Sequence, residues 1–376
     1  MDFNFTESQN ALSKLVSDFT KHEIEPDAVE LDKRKELPDT LIVKLSSLGL
    51  LGMTIPVKYG GSNMDNLSCV MALEQLAYSG TSVWWLVAFN NSIPETIYQF
   101  GSDDQCSKYL PSFCNGSSYA SIQFTEDDTG SDPSSLKTTA RLIDNKYLIN
   151  GTKRFSTFGA RDGYAILYAK GEDGRCSSFI IKKNTKGYLV TKNWELMGAG
   201  GTDTVDVSLN DFNVLKEDLL GKSGEGLKIL LHWIATEKIE QSAAAVGIGQ
   251  AALDEALKYA KSRIVQGKPI SQMQGIRWML AEMEAKVVSA RWMTYRAASL
   301  QDCHAKDWIT EAATTKVHVI PTIMEVVEMS RRIHGAYGYT KDFKIERLYR
   351  AIAGASAIAV SLEINKSVVA SSLLNT

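Results

Sequence analysis

Hydrophobic positions along this chain change period twice. From Thr6 to about Asn115 they recur at helical spacing in SQNALSKLVSDFTKHEI, PDTLIVKLSSLGLLGM and NLSCVMALEQLAYSGTSVWWLVAFN, with Pro and Gly between the segments. This predicts an N-terminal helical domain, placed at 1–117. From about Ser118 to Leu220 the runs are short and alternating, as in YASIQFT, YLINGTKRFSTF, YAILYAK, SSFIIKK, GYLVTKN and TVDVSLNDF, with Gly, Asp and Asn at the turns. A central β domain is expected over 118–225. From about Gly226 onward long helical periods return, enough for a C-terminal four-helix bundle over 226–376. Helices, a compact β insert and a bundle make an α+β chain without βαβ alternation, which argues against a doubly wound fold.

One stretch of the first bundle helix breaks its own pattern. In ILLHWIATEKIEQSAAAVGIGQ, Glu237 sits on a largely apolar row, and the positions three and four away hold Trp233, Ile234, Glu240 and Gln241. No Lys or Arg stands where a helical ion pair would form. A carboxylate placed this way is costly unless chemistry needs it. The stretch runs into Gly247-Ile248-Gly249-Gln250-Ala251-Ala252, a loosened match to the dinucleotide fingerprint. It follows helix and not strand, so close packing at small residues is the expected explanation.

With 376 residues the chain can bury a large core. Charged residues make up 23% and the net charge is −3, with Lys and Arg dispersed, so no nucleic-acid partner and no membrane partner is expected and the ligand should be small. The five cysteines and five histidines are scattered without CxxC spacing, which points to no metal and no disulfide framework. The N-terminal MDFNFTESQNALSKL has no apolar signal core and no later run approaches ~18 apolar residues, so a cytoplasmic, untargeted protein is expected.

Five segments, in order and in register, carry a family resemblance: QFTEDDTGSD, NGTKRFSTFGARDGYAILYAK, LMGAGGTDT, SRIVQGKPISQMQ and RRIHGAYGYTKDFKIERLYR. Together they resemble the acyl-CoA dehydrogenase family across essentially the whole chain. The resemblance implies its fold, with a β-barrel-like central domain, and FAD held between that domain and the bundle. It places Phe124, Thr125, Gly130 and Ser131 at the flavin's pyrimidine end, with Ser131 also on the substrate side. A polar turn would fit the same residues. Phe155 stands where the family usually has a ring-covering Trp, and Thr157 where a hydroxyl contacts flavin N5; strand packing is the plainer reading of Phe155. Arg263 matches an arginine that reaches the pyrophosphate of a neighbouring subunit's FAD, a natural task for a guanidinium fork. Gln274 and Gly335 match residues beside the cofactor, as do Ser361 and Glu363. Gln266 replaces an aromatic, Arg332 replaces a Gln, and Gly200 stands where the family places an Arg. The shared cofactor site implies a homodimer or homotetramer.

The largest departure lies near the C-terminus, where the family commonly carries the Glu that takes the substrate α-proton. The chain reads ERLYRAIAGASAIAVSLEIN, which puts Ala359 at that place among small residues. Some members, isovaleryl-CoA dehydrogenase among them, carry the base on the helix that opens the C-terminal domain, and that alignment falls on Glu237. Dehydrogenation needs such a base, because the α-proton leaves as hydride departs the β-carbon for flavin N5. Glu237 as bystander and Glu363 as base remain the alternatives. Lys238 follows Glu237 as in prolyl-carrier-protein dehydrogenases, and with Ala359 it is expected on the substrate side. The resemblance thus implies FAD-dependent α,β-dehydrogenation of an acyl-CoA or acyl-carrier-protein thioester, with electrons passing to an electron-transfer flavoprotein or another acceptor. A flavin monooxygenase or oxidase on the same fold and a non-catalytic FAD-binding homologue are the competing readings.

Overall fold

The computed structural model describes residues 4–130, 132–358 and 360–374. Six helices form the N-terminal part: α1 (Glu7–Phe19), α2 (Ala28–Lys33), α3 (Asp39–Ser47), α4 (Asn66–Ala77), α5 (Val83–Phe100) and α6 (Asp103–Cys114). Local sequence starts them. Thr6 and Gln9 close a capping box on α1, with Gln9 N–H donating to Thr6 Oγ1 at 3.1 Å and Thr6 N–H to Gln9 Oε1 at 3.0 Å. Ser102 and Gln105 do the same for α6. Pro94 inside α5 has no N–H for the Asn90 carbonyl, and that carbonyl accepts from Gly52 N–H at 3.0 Å instead. The helix that carries Trp84 and Trp85 is thereby tied to the loop after α3.

The middle of the chain folds into strands β1 (Ser121–Gln123), β2 (Thr139–Ile143), β3 (Lys146–Thr157), β4 (Tyr164–Lys170), β5 (Cys176–Lys182), β6 (Tyr188–Asn193), β7 (Thr204–Leu215) and β8 (Leu219–Leu220). They pair in the order β6-β7-β3-β2-β4-β5-β8, with β1 parallel to β4. The β2–β4 junction rests on one pair, Thr139 with Lys170, so two half-sheets fold over a core that includes Ile149, Phe179, Val207 and Phe212. The barrel-like expectation is corrected here: the path ends at β6 and β8, and among the described residues the sheet does not close.

The last part begins with α7 (Gly226–Ser262), followed by the hairpin β9 (Ile264–Val265) and β10 (Lys268–Pro269), then α8 (Gln274–Asp302), α9 (Trp308–Ile333), α10 (Lys344–Ala357) and α11 (Leu362–Leu374). Every residue of α7 from Thr236 to Gly249 is buried, the mark of a helix packed on all sides. Small residues allow this. A Cβ on Gly247 would stand 2.0 Å from the Glu74 carbonyl oxygen of α4, and one on Gly249 would stand 2.7 Å from Ile323 of α9. The dinucleotide-like GIGQAA is therefore a packing seam in mid-helix. Among the described residues no helix is long and apolar enough to cross a membrane.

Candidate active site

The sole carboxylates on the sealed stretch of α7 are Glu237 and Glu240, 5% and 3% exposed. Both line a narrow cleft walled by Trp84, Trp85, Ala88 and Phe89 of α5, with Gln241 and Ile358 on the other side. The closed cleft holds about 10 Å³, room for roughly one water. It adjoins a larger cavity of about 190 Å³ that shares Trp84, Trp85 and Ile358 and is lined by Ala351 and Gly354 of α10. Two of the small residues near the C-terminus thus border open space.

Glu237 is held on one oxygen and open on the other. Gln241 Nε2 donates to Glu237 Oε1 at 3.2 Å, and Oε2 is buried without a partner. Gln241 is fixed in turn by Lys316 of α9, whose ammonium donates to Gln241 Oε1 at 3.0 Å. The same ammonium donates to the Val360 carbonyl at 3.2 Å and to that of Ile358. Val360, a β-branched residue, sits at φ 71°, so this buried cation clasps a strained turn at the cleft wall.

Burial pushes the Glu237 carboxyl well above the usual carboxylate range, and Lys316, the Gln241 hydrogen bond and Lys238 pull against it. Burial likewise lowers the Lys316 ammonium, against the pull of Glu237, and brings Lys238 down to about 8. Glu240 is likewise raised well above the usual carboxylate range, first by burial and then by Glu237, with a Ser92 hydrogen bond opposing and Glu95 adding. A carboxylate raised toward neutrality, with one dry oxygen facing a cleft, is equipped to take a proton from a carbon acid.

The residues expected at a cofactor fall into two groups. On the β domain, a register shift between Lys153 and Ser156 and a φ of 56° turn the Phe155 ring outward, where it is 52% exposed and 5.1 Å from Trp194. Arg154 N–H donates to the Thr125 carbonyl at 2.8 Å, which brings Phe124 and Thr125 beside Phe155 and Thr157. Glu126 anchors this loop from below, buried against Lys153 Nζ at 2.7 Å and accepting from Lys137 N–H at 2.6 Å. At Gly130 an added Cβ would meet nothing within 4 Å, so no close approach inside the chain requires glycine there.

The second group lies at the far end of α7. Arg263 caps that helix, Gln266 turns the hairpin at φ 51°, Gln274 opens α8, and Arg332 and Gly335 end α9, Gly335 at φ 60°. No hydrogen bond or ion pair joins the two groups among the described residues. Ser361 starts α11 and accepts from Ile364 N–H at 3.4 Å, while the Glu363 side chain is 77% exposed and outside the cleft. Ser131 and Ala359 lie outside the described residues. Lys238 is buried beside Glu237. The glycine at 200 has a steric cause: a Cβ there would stand 1.9 Å from the Asp32 carbonyl oxygen, so no arginine fits.

Sequence reasoning missed Glu240 as part of the cleft, and with it Gln241, Lys316 and the Trp84–Trp85 wall. The signal for Lys316 was present in AATTKVHVI: positions three and four away are Ala312, Ala313, Val319 and Ile320, an apolar row like the one around Glu237.

The acyl-CoA dehydrogenase N-terminal, middle and C-terminal domain families match residues 6–117, 121–212 and 224–374. The acryloyl-CoA reductase (NADH) of Anaerotignum propionicum is 35% identical over 98% of this chain and 95% of its own. Butyryl-CoA dehydrogenase from Megasphaera elsdenii superposes with a TM-score of 0.96 at 31% identity, covering 100% of both chains. The prolyl acyl carrier protein oxidase AnaB gives a TM-score of 0.93 at 29% identity over 98% of this chain and 100% of that one.

Proposed function

The chain belongs to the acyl-CoA dehydrogenase family of FAD-dependent flavin oxidoreductases, and we propose that it dehydrogenates a short acyl thioester at the α,β bond with Glu237 as the base. The observation that carries this reading is the unpartnered Oε2 of Glu237, 5% exposed and facing an aromatic-walled cleft. The acyl group occupies the adjoining cavity of about 190 Å³ and brings its α-carbon to the mouth of that cleft, displacing the little water it can hold. Gln241 occupies Oε1, so Oε2 is the oxygen left to accept the α-proton. Lys316 keeps enough positive charge nearby for the carboxylate to ionise in a dry site, and Trp84, Trp85 and Phe89 exclude water from the reacting carbons.

FAD supplies the hydride acceptor when bound. The outward ring of Phe155 and the neighbouring Thr125 and Thr157 fit a flavin face, and Phe124 supports them from the same loop. Arg263, without an ion pair among the described residues, fits a pyrophosphate, with Gln266, Gln274, Arg332 and Gly335 around it. Because the two groups stand apart in one chain, a second copy completes the site, and the protein works as a homodimer or homotetramer. Exposed Trp278 at 65%, Ile264 at 52% and Tyr339 at 88% supply apolar surface for that assembly. The electrons pass to an electron-transfer flavoprotein or another acceptor. Four of the five free cysteines are buried, in keeping with a cytoplasmic location.

A second reading runs the same chemistry backward. The similarity to a protein named acryloyl-CoA reductase favours it, and Glu237 would then deliver the α-proton. The similarity to a prolyl acyl carrier protein oxidase favours a carrier-bound acyl group over CoA. Anaerobic mixing of the yellow protein with propionyl-, butyryl-, isovaleryl- and prolyl-thioesters, on CoA and on pantetheine, tests the proposal. Bleaching of the flavin by at least one is expected. A colourless protein that takes up no FAD, or a flavin that none of them reduces and whose reduced form no enoyl thioester reoxidises, overturns it.

A further inference from the structure

Glu240 is a second carboxylate in the cleft, and proton abstraction by Glu237 does not use it. It stands one helical turn after Glu237, is 3% exposed, and its Oε2 is buried without a partner. Its charged surroundings are acidic: Glu237 on its own helix and Glu95 on α5, with Ser92 of α5 offering only a hydroxyl. Lys316 and Lys238 bear on Glu237, and Glu95 is engaged by His232 at 2.9 Å. Among the described residues no cation pairs with Glu240. A hydrocarbon acyl chain filling the adjoining cavity and closing the mouth of this cleft would leave that oxygen dry and unsatisfied.

We propose that Glu240 recognises an amino nitrogen, so that the acyl group of the thioester carries a basic amine. This rests on the reading of the Glu237 cleft as the acyl pocket. An ammonium group would satisfy Oε2 and bring the positive charge that this end of the cleft lacks. The aromatic wall suits the same ligand. Trp84 and Trp85 lie 5.5 Å apart with their planes at 60°, and both border the cleft, where an indole face attracts a cation more than it does a methylene. Side chains three positions apart on a helix have Cβ atoms about 5–6 Å apart. The nitrogen therefore belongs within a few bonds of the carbon that faces Glu237, on that carbon or on a small ring that includes it.

The test uses the FAD-loaded protein and pantetheine amides, whose α-protons are too weakly acidic to be taken, so binding is read without turnover. Three amides share one ring size: cyclopentanecarbonyl, prolyl and pyrrolidine-3-carbonyl, the last two with a protonated NH in place of a methylene. At neutral pH at least one amino ring should bind ~10-fold or more tightly than the cyclopentane. Glu240→Gln, which keeps the shape, should reduce that preference to within ~2-fold. Equal or tighter binding of the cyclopentane amide to the wild-type protein overturns the proposal whatever the variant does, and so does a preference that survives Glu240→Gln. Failure of the acyl-pocket reading has a different signature: Trp85→Ala and Glu240→Gln would leave the affinities of all three amides unchanged.

Discussion

Replacing Lys316 with methionine separates the two tasks assigned to this buried cation. Its ammonium donates to Gln241 Oε1 at 3.0 Å, to the Val360 carbonyl at 3.2 Å and to the Ile358 carbonyl. Methionine keeps much of the volume and removes every donor. Losing one partner of a buried charged cluster costs about 3–5 kcal/mol, which for a chain of this size is a fall in Tm of roughly 5 °C. The second effect is on ionisation. A relay of 3.2 and 3.0 Å hydrogen bonds through the Gln241 amide keeps the ammonium close to Glu237. At roughly 8 Å and an effective dielectric constant of about 20, the attraction is worth about 2 kcal/mol, equivalent to about 1.5 pH units. A cation favours the ionised carboxylate, so its loss raises the Glu237 carboxyl further. The rate of anaerobic flavin reduction, followed by stopped flow with whichever thioester reduces the wild-type protein, should therefore reach its half-maximum about 1.5 pH units higher in Lys316→Met. A lower Tm with an unmoved rate–pH profile would refute the electrostatic part and leave Lys316 as a strut for the turn at Val360.

In the wild-type protein the same rate should rise with pH through a midpoint above the ordinary glutamate value of about 4.3, because burial raises the base; a midpoint at the ordinary value would put the base elsewhere. Glu240 binds its proton more tightly when folded, so it costs stability as pH rises above the unfolded value of about 4.3 toward its raised folded value. The Tm of Glu240→Gln relative to wild type should accordingly climb from mildly acidic to mildly alkaline pH in calorimetry, and a constant difference would contradict its burial as an acid. Arg263→Ala should weaken FAD retention by about 1.5–3 kcal/mol in equilibrium dialysis, and unchanged retention would make Arg263 a surface charge. Gly247→Ala sets a methyl group 2.0 Å from the Glu74 carbonyl oxygen, so its Tm should fall by an amount matching about 1–3 kcal/mol of overpacking, and an unchanged Tm would deny the tight α4–α7 seam.

The change of hydrophobic period was enough to foresee helices, strands and helices in turn, because burial imposes a period of 3.6 on one and 2 on the other. It could not foresee whether the sheet closes. That depends on which strands share an edge, and the β2–β4 junction rests on one residue pair. Glu237 was legible because a carboxylate on a largely apolar helical row has no Lys or Arg three or four positions away to explain it. Lys316 obeys the same rule on α9, but its meaning depends on Gln241, 75 positions away in sequence. Glu240 was masked by reading it only as a neighbour of Glu237. The exposed ring of Phe155 was hidden for a different reason, since a bulge at Arg154 breaks the alternation that would have shown which way the ring points.

The most direct test of the account is the rate of flavin reduction in Glu237→Gln. The substitution keeps the side chain's shape and a polar group for Gln241 while removing the basic oxygen that faces the cleft. With FAD content, Tm and thioester affinity close to wild type, reduction under anaerobic conditions should slow by at least ~10²-fold, the scale of a lost general base. Reduction at the wild-type rate would show that another group takes the α-proton, or that no such proton is taken.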